Sequence, residues 1–438
     1  MDNSIYSAVI RKKTLLIVMI IIIVGWFVYM EMQKIHVGVE QINTNPAMIS
    51  GKTFTSSKKI DGLHLKNVTL HGTTFRDITL MHPIFENVIF DDCDFINADI
   101  YEAKMKDVLF SKGHIISKGD VVEQAGRGLL PDFNATVDNV IFDGTEFNWA
   151  SLVFSGGMIK LLNINKFSKS NISADNIYLH LESCYIDGHG KYGSSINAGH
   201  NSLVTAKKCT FTNSVLLAGD KSVIYAEGCK FPDNNDIGVP QVLVLKNCDL
   251  SAAVRTKGQA YLVNDRYVGL VALWSNSESG SPGKGVFYLL NENFEKAKLN
   301  LIDGTFFVQN MEIENGVLHP GQYDNIFRVD LQNVTISGNS NWKNLLLQSG
   351  GQWENVKIYP SVNVTNAKLG EIHTYNLTYP KGNPWVGSGS YAKMVPSDKP
   401  FDWPEIHVPT EEELGLTREW PPITGAPPAS SSATSEKE

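Results

Sequence analysis

The chain has 438 residues, with 38 basic against 46 acidic side chains and a formal net charge of −8. That balance argues against nucleic acid as the main partner, because a phosphate backbone is held by clustered Lys and Arg. Its 36 glycines and the Asn that recurs through the middle suit turn-rich β structure better than helix bundles.

In chain order, residues 1–13 come first and end on Arg11, Lys12 and Lys13. Thr14 to Met30 (TLLIVMIIIIVGWFVYM) then runs 17 residues without a charge. As a helix it reaches about 25 Å at ~1.5 Å per residue, a little short of a ~30 Å hydrocarbon core. Lys12 and Lys13 can snorkel at one end, while Trp26 and Tyr29 suit the opposite interface. Glu31 follows directly, so the positive-inside rule keeps residues 1–13 in the cytoplasm and sends the rest across. A cleaved signal peptide shares the basic flank, yet the run exceeds a usual h-region and EMQKIHVGVEQ offers no small-x-small cleavage site. The expectation is a single-pass anchor at 14–30 in the inner (cytoplasmic) membrane, then a stalk and N-terminal cap over 31–59.

A period of five begins beyond the stalk. Leu65, Leu70, Phe75, Leu80, Phe85, Phe90, Phe95, Ile100, Met105 and Phe110 stand at intervals of five. A second ladder precedes each by two: Leu63, Val68, Thr73, Ile78, Pro83, Val88, Cys93, Ala98, Ala103 and Val108. Neither helical nor simple strand periodicity produces this pattern. Two inward residues per five do, if each unit forms one side of a square coil, and repeats of this kind call for a solenoid.

In these residues the chain resembles the pentapeptide-repeat proteins, whose unit carries a small residue, then Asp or Asn, then Leu or Phe. The stretch from Cys93-Asp94-Phe95 to Ala103-Lys104-Met105 is nearest to that pattern. Strict pentads cover only about 50 residues. Downstream, LKNCDL (245–250), LQNVTI (331–336) and WENVKI (353–358) echo LKNVTL (65–70) at longer spacing. Cys184, Cys209, Cys229 and Cys248 each precede an apolar residue by two, and their separations of 25, 20 and 19 residues match one coil.

The expected fold is therefore all-β: a right-handed parallel β-helix over 60–378, on the order of 65 Å long at ~4.8 Å per coil. Asn67, Asn87, Asn247, Asn333 and Asn355 recur at its corners, where stacked side chains can ladder. The cysteines read as small core residues, and no C-x-x-C spacing points to zinc.

The tail, 379–438, is punctuated by proline. Thr410 and Glu413 form a capping box for a turn or two of helix, and GAPPASSSATSEKE reads as disordered. Trp385, Trp403 and Trp420 make the tail apolar enough to pack back onto the rod, the favoured reading, or to dock a partner.

Chemistry is sparse. Gly188-His189-Gly190 and Arg255-Thr256-Lys257 resemble two motifs of the polygalacturonases, which are β-helix glycosidases. The resemblance implies that His189 assists the acid while Arg255 and Lys257 clamp uronate oxygens. Hydrolysis needs two positioned carboxyls, and the coil before the motif offers only Asp175 and Glu182, with Asp187 adjacent. A corner turn is the simpler reading of the triplet. His64, His71 and His82 fall in different pentad phases. No cofactor or metal site is expected.

The favoured reading is a membrane-anchored scaffold or recognition rod of a bacterial envelope, non-enzymatic, with an envelope protein or polysaccharide as partner. The runner-up binds or cleaves an acidic polysaccharide near His189 and Arg255. An exported effector or toxin-related protein is a third class.

Overall fold

The computed structural model describes residues 48–56, 58–117, 133–188, 193–238, 240–275, 285–295, 297–320, 326–343, 347, 350–365, 368–379 and 391–425. The expected anchor at 14–30, His189 and the last 13 residues lie outside these. Among the described residues there is no α-helix, and no helix long and apolar enough to cross a membrane.

The pentads fold as their period requires. Leu65 stands opposite Phe85, and Phe85 opposite Met105; Leu70, Phe90 and Phe110 follow suit. The strand partner lies 20 residues on, which is four pentads, so each of these coils has four sides. Every pairing is parallel, and all members of both ladders point inward and are buried. Aromatic rings stack in files along the axis: Phe75 on Phe95 at 4.8 Å, Phe90 on Phe110 at 4.9 Å and Phe110 on Phe142 at 4.7 Å. The core is one continuous column, and each coil buries its apolar side chains only against its neighbours.

Corners explain the Asn. A tight turn between sides demands φ near +50°, a conformation Asn tolerates better than other non-glycine residues. Asn67, Asn87, Asn247, Asn333 and Asn355 all adopt it, with φ of 51° to 55°. Their amides then ladder between coils: Asn87 Nδ2 donates to Asn67 Oδ1 (2.9 Å), Asn333 to Asn310 (2.9 Å) and Asn355 to Asn333 (3.0 Å).

The rod is longer at both ends than the 60–378 read from the sequence. Met48–Ser50 already pairs with His64–His71, within the expected stalk, and Tyr391–Pro396 adds a strand beyond Lys368–Tyr375. These end strands, of three and six residues, are too brief to show a period. One face is continuous from the first of these strands to the last, a rod on the order of 75 Å at ~4.8 Å between stacked strands. After Pro396 the chain leaves the sheet. Residues 397–425 return along that face and end beside Asn87.

Candidate functional site

Chemistry is sought first in the inward slot two residues before each buried apolar strand residue. Cys93, Cys184, Cys209, Cys229 and Cys248 occupy it, all buried and none in a disulfide. Four of the thiols donate to carbonyls of the preceding coil, Cys184 to Leu161 and Cys229 to Ala206 at 3.4 Å among them, and Cys209 donates to Lys207 of its own coil. Burial pushes the Cys93 thiol up to about 12, so it stays protonated and inert.

The column does not end with Cys248. The next two coils place Asp265 and Glu292 in the same slot, both buried. The Cys248 N–H donates to Asp265 Oδ1 at 2.6 Å, and the Asp265 N–H to Glu292 Oε1 at 3.4 Å. Burial raises Asp265 to about 8 and lifts Glu292 well above the carboxylate range, the latter also through Asp265. Two carboxylic acids kept neutral inside a sealed core can hold protons but cannot meet a substrate. The sequence reading did not single them out. The signal was present, since Asp265 precedes Tyr267, and Glu292 precedes Phe294, by the same two residues as each cysteine.

Among the described residues, Asp187 and Arg255 of the expected sugar site do not converge. Asp187 ends the strand Tyr185–Asp187, whose register partner is Thr210–Thr212. Arg255 lies about three coils further on, ~14 Å along the axis at strand spacing, and in the neighbouring side of the coil. Its guanidinium forks onto Asp236, with Nε to Oδ1 at 2.9 Å and Nη2 to Oδ2. Lys257 Nζ is held by Asp220 Oδ1. Both cations that would clamp a uronate are thus engaged by carboxylates of other coils. The same holds for the early histidines: His71 pairs with Asp91 (2.8 Å), His82 with Asp61 (2.8 Å) and Glu102 (3.2 Å), and His114 with Asp94 (2.7 Å). No group of three or more His, Cys, Asp or Glu among the described residues is arranged to hold a metal.

What the structure does assemble is a surface. Most outward positions of the coils are polar, but on the face over which the tail returns Tyr178, Tyr225, Val244 and Tyr261 form a buried apolar stripe. The tail closes it as a strap. Ile406, Val408, Leu414, Leu416 and Trp420 pack down onto the stripe, Leu416 being fully buried. Trp420 tilts against Tyr178 at 5.6 Å, with Lys160 Nζ over its ring at 5.4 Å, and Arg418 caps the Tyr178 ring at 5.3 Å.

Polar anchors pin the strap at intervals. Glu354 Oε2 accepts from the Phe401 N–H (2.8 Å) and from Trp403 Nε1 (2.9 Å). Lys207 pairs with Glu411 at 2.7 Å, and the Tyr178 hydroxyl donates to the Leu416 carbonyl. Asn139 donates to the Pro421 carbonyl at 3.0 Å, while Asn87 Oδ1 accepts from the Gly425 N–H at 2.9 Å. The expected capping box is present: the Glu413 N–H donates to Thr410 Oγ1 (3.2 Å) and the Thr410 N–H to Glu413 Oε2 (2.8 Å). It caps a single turn, which Gly415 ends at φ +70°. Beside this turn a groove of about 470 Å³ opens between the strap and the rod, bordered by Tyr225, Glu227, Lys246 and Glu412.

No family model and no curated protein matches the chain. Among solved structures it is similar to HetL, a pentapeptide repeat protein involved in heterocyst differentiation regulation from the cyanobacterium Nostoc sp. strain PCC 7120. The identity is 14%, over 56% of this chain and 84% of that one, with a TM-score of 0.16. It is also similar to QnrB1, a plasmid-mediated fluoroquinolone resistance protein, at 12% identity over 57% and 91% of the two chains and a TM-score of 0.17. The siphovirus 9NA tailspike receptor binding domain matches at 11% identity over 85% and 76%, with a TM-score of 0.19. At these scores the likeness adds nothing to the fold already given by the strand register.

Proposed function

We propose that the chain is a membrane-anchored, extracytoplasmic scaffold or recognition rod of a bacterial envelope, a right-handed solenoid tethered by residues 14–30. A repeat-built parallel β-solenoid supports a scaffold or recognition role in general terms. The observation that carries the reading is where the reactive side chains are used. Arg255, Lys257 and Arg266 are held by Asp236, Asp220 and Asp249 of other coils, and Asp265 and Glu292 are sealed in the core. What faces outward is a rigid, ion-paired surface and one apolar face under a strap. The anchor is supported by the charge-free run and its basic flank, and the right hand by the sense in which parallel strands are connected.

Carbonate extraction of membranes tests the reading. The full-length chain should remain in the pellet, and replacing Ile21 and Ile22 with Lys should release it. Recovery of the native chain in the soluble cytosolic fraction would overturn anchor and topology together. Incubation with polygalacturonate should yield no new reducing ends; their release would return the hydrolase reading to first place.

A further inference from the structure

Outward-facing side chains of a solvated sheet face are ordinarily polar, and a long apolar stripe there requires a cover. Along the strap face the outward register runs through Ile89, Leu109 and Ile141, then the polar Lys160, His180 and Thr205, and then Tyr225, Val244 and Tyr261. The cover is the strap, and the manner of its attachment is informative. Among the described residues it joins no strand ladder of the rod. It is held by apolar side chains in two alternating pairs, Ile406 with Val408 and Leu414 with Leu416, by Glu411 on Lys207, by the Trp420 ring and by single hydrogen bonds at spaced points. These are the contacts of a docked linear segment, and a covalently separate segment can make each of them.

We infer that this face is a receptor for extended segments, closed in cis by residues 401–425. The partner it fits is a segment of another protein with the strap's own chemistry. That chemistry is apolar side chains two residues apart, an acidic capped turn to meet Lys207, and a tryptophan to contact Tyr178 and Lys160. Attachment to the same chain gives the strap an effective concentration in the millimolar range, so a partner enters only where the strap is loosened or outcompeted. This names the face and the partner within the recognition reading and rests on it. Binding is read on purified chain in detergent, so its failure is distinguishable from a failure of the anchor.

The probe is a fluorescent synthetic peptide of residues 401–425, titrated into full-length chain carrying Glu411→Lys or Leu416→Ala. Glu411→Lys sets a like charge beside Lys207 at a partly exposed position and spares the rod; Leu416→Ala removes the buried anchor. The peptide should bind both variants saturably and at least tenfold more tightly than it binds the wild-type chain. A peptide carrying Glu411→Lys and Trp420→Ala should bind neither. Equal binding to wild type and variants, or none to the Glu411→Lys chain while its circular dichroism remains β, would overturn the inference. If wild-type chains form a strap-exchanged dimer in gel filtration, the occupant is a second copy, and the assignment to a foreign partner falls.

Discussion

Asp265→Asn isolates the cost of placing a carboxyl in a slot that the four preceding coils fill with the thiols of Cys184, Cys209, Cys229 and Cys248. The folded protein holds a proton on Asp265 up to about pH 8, whereas the unfolded chain gives it up near the ordinary value of 3.8. A proton bound more tightly in the folded state stabilises most at low pH. The contribution is fully present below about pH 4 and falls by about 1.4 kcal/mol per pH unit until the folded value is reached. Between pH 4 and pH 7 the loss is on the order of 4 kcal/mol.

Asn keeps the acceptor for the Cys248 N–H but cannot ionise. Its amide nitrogen takes the place of Oδ2, which is buried without a hydrogen-bond partner among the described residues. The unpaired O–H of the neutral acid thereby becomes an NH2 with one further unpaired donor, at about 1–3 kcal/mol. The two stability curves should therefore cross: the variant is weaker by ~1 kcal/mol near pH 4.5 and stronger by ~3 kcal/mol near pH 8. Urea midpoints at four pH values, read from the fluorescence of the core residues Trp342 and Trp353, measure this. Parallel curves for wild type and variant would refute a buried, proton-holding Asp265.

The remaining expectations concern the rod itself. Phe110→Ala breaks the ring file between Phe90 and Phe142 and should cost about 3–5 kcal/mol in urea unfolding. Asn333→Ala forces alanine to φ +55° and removes two ladder bonds, for a loss of about 1–2 kcal/mol, and Asn333→Gly should recover the conformational part. His82 should titrate above the usual imidazole range, because it bonds Asp61 first and faces Glu102 besides. Its raised pKa means that the pair's contribution is present at low pH and lost as the pH rises through that value. NMR titration should show the His82 midpoint fall in Asp61→Asn; an unmoved midpoint would contradict the pairing.

The parts of this molecule that were legible in the sequence are those set by local phase. Leu65 to Phe110 declare their burial because two inward positions recur in every five, and Asn67 or Asn333 declare their corners because φ near +50° selects the residue type. Thr410 and Glu413 declare their turn because a capping box spans only four residues. The path of the strap could not be read this way. Its seat is built from Tyr178, Tyr225 and Tyr261, which meet only after coils of unequal length have stacked. Arg255 and Lys257 looked available for the same reason, since their partners Asp236 and Asp220 lie 19 and 37 residues away with no common spacing. Asp265 and Glu292 broke the expectation that an inward slot is apolar, although their position before Tyr267 and Phe294 followed the cysteine rule.

Placement of the rod outside the cytoplasm is the claim on which the proposed role turns, and the buried cysteines make it measurable. All five native thiols are shielded by the core, whereas Tyr185 lies in a strand with 42% of its surface exposed. In spheroplasts producing full-length Tyr185→Cys, a membrane-impermeant maleimide should label the chain before lysis, and the wild-type chain should stay unlabelled. Labelling of Tyr185→Cys only after lysis would place the rod in the cytoplasm and contradict the account.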